Sequence, residues 1–71
     1  MTAVDKHIGR RIRGKRRALG LSERDLASAL GVDDGRLRDY ELGTEHVPSE
    51  QIILLGEIMS VPLSYFFPAT P

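Results

Sequence analysis

The sequence predicts an all-α fold, a compact bundle of five short helices, and three observations carry that prediction. Apolar residues recur at helical spacing in successive windows, Ile8/Ile12, Leu26/Leu30, Leu37/Tyr40 and Ile52/Leu55/Met59, with no period-2 alternation to support a strand. Gly20, Gly31 and Gly43 close the first three windows, where a helix ends most easily in the left-handed conformation. Ser22 and Asp33 stand where N-caps are needed. A chain of 71 residues without Cys reads as one domain, 1–71, held by its core alone, with no disulfide and no thiolate metal site.

Helix 1 is predicted over about residues 4–19. Val4, Ile8, Ile12 and Leu19 share its inner face, and Lys6, Arg10, Arg13 and Arg17 form a basic stripe opposite. Gly9 and Gly14 each cost about 1 kcal/mol against Ala inside a helix, which points to close packing or tolerated strain. Helix 2, about 22–30, opens on Ser22 with Glu23 and Asp25 in its first turn, where the helix dipole favours negative charge. Helix 3, about 33–42, starts at Asp33, carries Leu37, Tyr40 and Leu42, and stops at Gly43. Residues 44–48 form a loop. Helix 4, about 49–59, buries Ile52, Leu55 and Met59, and helix 5, about 62–67, carries Leu63, Tyr65, Phe66 and Phe67 before Pro68. Helix 4 has more apolar residues than one face can use. Ile53, Leu54 and Ile58 call for cover by helix 5 or by a second subunit, so a homodimer is expected through Ile53, Leu54, Ile58, Phe66 and Phe67.

The formal net charge of zero conceals a strong asymmetry. Residues 1–20 hold seven Lys/Arg against Asp5 alone, and the remainder holds Arg24, Arg36 and Arg38 against nine carboxylates. No apolar run is long enough to cross a membrane, and no signal-peptide core opens the chain, so a cytoplasmic protein without membrane contact is expected. His7 and His46 have no companion ligands and read as solvated. No metal, no cofactor and no enzymatic activity are expected of a domain with so little room for a cleft.

Helices 2 and 3 have the spacing of a helix-turn-helix: Ala27 is small enough for a close crossing, Gly31 allows the turn, and Leu26, Leu30, Val32 and Leu37 fill the space beneath. The ordered set Ile8-Gly9, Ile12-Arg13, Arg16, Leu19-Gly20-Leu21-Ser22, Leu26-Ala27, Leu30-Gly31-Val32, Leu37, Tyr40-Glu41, Gly43, Val61-Pro62 and Tyr65-Phe66-Phe67 resembles the Cro/CI-type (XRE) helix-turn-helix family over nearly the whole chain. The resemblance implies a lambda-repressor-like DNA-binding domain, dimeric, regulating transcription at a short palindrome on double-stranded DNA. It also implies that Arg16 and Glu41 form a partly buried ion pair tying helix 1 to the end of helix 3.

Mapped onto this chain, the family's DNA-contacting positions are Glu23, Asp34, Gly35, Arg36, Arg38 and Asp39. The family commonly has amides, hydroxyls or cations there. Here Glu23 replaces a Gln that meets a phosphate, Asp34 and Asp39 are acidic, and Gly35 offers no side chain. Three readings stay open. Arg36 and Arg38 read bases while an Asp accepts from cytosine N4, with Arg10, Arg13 and Arg17 of the stripe on phosphates. Alternatively, the surface serves a protein partner such as RNA polymerase, another regulator or a toxin, with autonomous DNA binding weak or lost. On the third reading, the aspartates only cap helix 3 and line the groove edge.

Overall fold

The computed structural model describes residues 2–69. Four α-helices follow in order, α1 Ala3–Ala18, α2 Glu23–Leu30, α3 Asp34–Leu42 and α4 Ser49–Met59, and then a 3₁₀ turn, Leu63–Phe66. The predicted fifth helix is therefore a single 3₁₀ turn. Pro62 and Pro68 bracket it, leaving room for i→i+3 bonds such as Tyr65 N–H to the Pro62 carbonyl at 3.0 Å, too short a run for an α-helix to propagate.

α1 begins one residue earlier than the periodicity suggests, because Thr2 and Asp5 form a reciprocal capping box. The Asp5 N–H donates to Thr2 Oγ1 at 3.0 Å, and the Thr2 N–H donates to Asp5 Oδ2 at 3.3 Å. Its inner face is Asp5, Ile8, Gly9, Ile12 and Arg16. Val4 and Leu19, expected on that face, are exposed. Asp5 takes the inward place at one end, and Leu19 lies beyond the last helical residue at the other.

Ser22 caps α2 by accepting from the Asp25 N–H at 3.0 Å, and Asp33 caps α3 by accepting from the Arg36 N–H at 2.7 Å. Between them Gly31 adopts φ 74°, a left-handed conformation that costs a glycine nothing, and so lets the chain turn from α2 into α3 without a longer loop. Ala27, almost fully buried, sits where the two helices meet. On α3 the buried residues are Leu37, Tyr40 and Glu41. Leu42, expected to pack, is exposed, because Glu41 occupies the inward position one residue before it.

α3 lies in the angle between α1 and α2, α4 crosses beneath α2, and the 3₁₀ turn wedges between α1 and α4. The core joins Ile8, Ile12, Leu26, Ala27, Leu30, Leu37, Tyr40, Ile52, Leu55, Met59 and Phe66 with Val47, a loop residue whose isolated position gave no periodic signal. Phe66 is fully enclosed here. This corrects its assignment to a subunit interface: the 3₁₀ turn points it inward, where it fills space between α1 and α4 that a 71-residue chain has few other large side chains to fill. Tyr65 packs edge-to-face on it at 5.5 Å. The Arg11 guanidinium covers the Tyr65 ring at 4.2 Å and donates to the Tyr65 carbonyl at 2.9 Å, so α1 holds the turn by stacking as well as by a hydrogen bond.

Candidate nucleic-acid interface

The outer face of α3 is set by its inner one. With Leu37, Tyr40 and Glu41 buried, helical geometry leaves Gly35, Arg36, Arg38, Asp39 and Leu42 pointing to solvent. Asp34 is half-buried at the α2 side. The structure thus gathers Arg36, Arg38, Gly35 and Asp39 on one surface and brings Glu23, from the first turn of α2, to the same surface.

The support beneath this face is an ion pair. Arg16 donates from Nε to Glu41 Oε2 at 2.7 Å and from Nη2 to Glu41 Oε1 at 3.1 Å, a two-pronged contact. Its Nη1 donates to the Leu21 carbonyl at 2.9 Å, which ties α1, α3 and the α1–α2 turn together. The side chains are 11% and 5% exposed, so the pair is screened from solvent, and the bond to Glu41 raises the Arg16 pKa above its ordinary value. A second tether joins the start of α1 to the loop after α3. His46 Nδ1 lies 2.9 Å from Asp5 Oδ1, and that bond, with the Thr2 amide, holds the Asp5 carboxyl below the usual carboxylate value. His46, read from sequence as simply solvated, is therefore bonded to the chain although its ring is mostly exposed.

The charges on the face are arranged in pairs. Arg38 Nε lies 3.4 Å from Glu23 Oε2, Arg36 Nη1 lies 3.4 Å from Glu45 Oε1, and Arg24 Nε lies 3.9 Å from Asp34 Oδ2. Such exposed pairs contribute about 0–1 kcal/mol each to folding, so they shape the potential of the surface more than its stability. Asp39 instead accepts from Thr44 Oγ1 at 3.2 Å and stays beside the C-terminal turn of α3. Neither Glu45 nor Arg24 stood out in sequence. Their partners are nine and ten residues away, beyond any i,i+4 pattern, and only the folded turn of the helix pair brings them together.

The basic stripe of α1 is different. Among the described residues, Lys6, Arg10, Arg13 and Arg17 are exposed and have no carboxylate within 4 Å. Only the first residue of the stripe meets the C-terminal end of α3, since Gly43, the cap of α3, lies directly against the backbone of Lys6. Cations at that end also complement the helix dipole.

A separate apolar surface lies on α4 and the segment that follows. Ile53, Leu54 and Phe67 are exposed, Ile58 is half-buried against the core, and Leu63, not singled out in sequence, joins the exposed set. Ser49, Ile52, Ile53, Leu63 and Phe67 line an apolar groove of about 120 Å³ there. No group of three or more His, Cys, Asp or Glu is placed to hold a metal among the described residues, and no helix among them is long and apolar enough to cross a membrane.

Comparison with known proteins places this geometry. The family model described as Helix-turn-helix matches residues 12–66. An HTH-type transcriptional regulator of Sinorhizobium medicae is 37% identical over 68 residues, which cover 96% of this chain and 49% of the relative. The chain thus spans about half the length of the curated relatives it matches. Among solved structures, the restriction-modification controller protein C.AhdI of Aeromonas hydrophila superimposes with a TM-score of 0.84 at 29% identity, covering 93% of this chain and 100% of that one. The clp gene regulator ClgR of Corynebacterium glutamicum superimposes with a TM-score of 0.82 at 25% identity, covering 90% and 83%.

Proposed function

The chain belongs to the XRE-type helix-turn-helix family of transcriptional regulators, and from that premise we propose that it acts as a cytoplasmic homodimer that seats α3 in the major groove of a palindromic DNA site. One observation carries the reading. The outer face of α3 bears Arg36 and Arg38 on a scaffold whose buried side is fixed by Leu37, Tyr40 and the Arg16–Glu41 pair, so the arginines are held out on a rigid element. In that seating Arg36 and Arg38 reach base edges, Gly35 lets the backbone approach, and the backbone N–H groups at the N-terminal end of α2 meet the sugar-phosphate strand. Arg10, Arg13 and Arg17 supply phosphate contacts from α1. The dimer forms through Ile53, Leu54 and Phe67, with Ile58 beneath them, setting the two α3 helices one helical turn of DNA apart.

Selection of bound duplexes from a random pool, repeated across salt concentrations, tests this. Enrichment of a palindrome, with binding that weakens as salt rises, supports the reading. The absence of any enriched sequence at low salt overturns it. The pairing of Arg36 and Arg38 with carboxylates favours one second reading: a protein-interaction module whose partner is RNA polymerase, another regulator or a toxin, with α3 no longer reading DNA alone. That reading gains from the same negative result.

A further inference from the structure

The charge pairs on the α2/α3 surface divide the cations of this chain into two populations. All three arginines outside α1 have a carboxylate within 4 Å, and the partners come from three places: Glu23 from the start of α2, Asp34 from the start of α3, and Glu45 from the loop beyond it. The exposed cations of the α1 stripe have none among the described residues. Net positive charge is thus withdrawn from the face that fits a groove and left on the helix beside it.

A phosphate offers only acceptors. An arginine that reaches for one while a carboxylate lies 3.4 Å away brings an acceptor against an acceptor, and much of the attraction is cancelled. The major-groove edge of a G·C pair is different, because guanine offers two acceptors and the cytosine amino group offers a donor. An arginine–carboxylate pair carries both complements, the guanidinium for guanine and the carboxylate for cytosine, so neither charge is left facing its like. We infer that Glu23, Asp34 and Glu45 are specificity determinants that hold Arg38, Arg24 and Arg36 off the phosphate backbone and admit them to G·C pairs, while the α1 stripe supplies the sequence-independent attraction. The inference rests on the DNA-binding reading above and extends it to residues that reading leaves as obstacles.

The test compares wild type with E23Q, D34N, E45Q and the triple variant, on the selected duplex and on random duplex of equal length, over a range of salt. The side chains are exposed at 38%, 46% and 44%, so the amide variants should fold, with circular dichroism as the check. The triple variant should bind random duplex about tenfold or more tightly than wild type at low salt. Its log–log salt slope should steepen by about 0.9 for each arginine freed onto a phosphate. Replacing a G·C pair of the selected site by A·T should cost wild type about tenfold and the triple variant much less. Random-duplex affinity and salt slope equal to wild type in the triple variant overturn the inference while leaving the DNA-binding reading intact. Duplex binding by the triple variant alone overturns both the DNA-binding reading and the specificity role, since the carboxylates then only keep the face off DNA. If neither protein binds duplex under any condition, the DNA-binding reading fails, and the inference fails with it.

Discussion

At the scale of single residues, the clearest energetic commitment is the Arg16–Glu41 pair. Both side chains are screened from solvent, and Arg16 uses donors on all three of its guanidinium nitrogens. Removing one partner leaves the other charge buried and uncompensated, so Glu41→Ala should lower the stability of the domain by about 3–5 kcal/mol in a urea titration. Replacing both by apolar residues of similar size, Arg16→Met with Glu41→Leu, should restore much of that loss; a double variant as unstable as Glu41→Ala would contradict the burial argument. Gly9 and Gly14 provide a second contrast, because sequence treats them alike and the structure does not. A methyl group at Gly9 would run into the carbonyl oxygens of Tyr40 and Glu41, whereas one at Gly14 meets nothing within 4 Å. Gly14→Ala should therefore stabilise the domain by about 1 kcal/mol through helix propensity. Gly9→Ala should destabilise it by about 1–3 kcal/mol as α1 is pushed off α3. The same denaturation series checks both, and equal signs would refute the assignment of Gly9 to the α1–α3 contact.

At the scale of elements, the periodic segments were legible in sequence and the features made by distant residues were not. Ser22, Gly31 and Asp33 mark the boundaries of α2 and α3 by local chemistry, so the turn between those helices could be placed from the residues alone. Apolar spacing in Leu63–Phe67 looks helical, yet the prolines on either side leave space for one 3₁₀ turn. The same spacing could not tell which aromatic faces inward: Phe66 fills the core and Phe67 is exposed. For the site, the outer positions of α3 followed from helical geometry, but the partners Glu45 and Arg24, the Asp5–His46 contact and the role of Arg11 depend on tertiary proximity that no local pattern encodes. The proposed dimer belongs to this scale too. Ile53, Leu63 and Phe67 flank one apolar groove, and a charge within it would have to be buried on association. Sedimentation should find the wild type dimeric at micromolar concentration and Ile53→Asp monomeric with unchanged circular dichroism; a monomeric wild type at high micromolar concentration would remove the interface.

At the scale of the whole molecule, the organising feature is electrical polarity. Seven of the ten Lys/Arg fall in the first 20 residues and nine of the ten carboxylates fall after them, and apart from the buried Arg16–Glu41 pair folding keeps the two populations apart: among the described residues the stripe of Lys6, Arg10, Arg13 and Arg17 is unpaired, and the face of α2 and α3 carries paired charges. On the proposed reading this face, and not the basic helix alone, meets the bases. Mapping backbone amide shifts by NMR while titrating the labelled protein with its selected duplex decides it. Perturbations over the start of α2 and along Gly35, Arg36, Arg38 and Asp39, together with the α1 stripe, are the predicted result; perturbations confined to α1, with α3 unmoved at saturation, would contradict it.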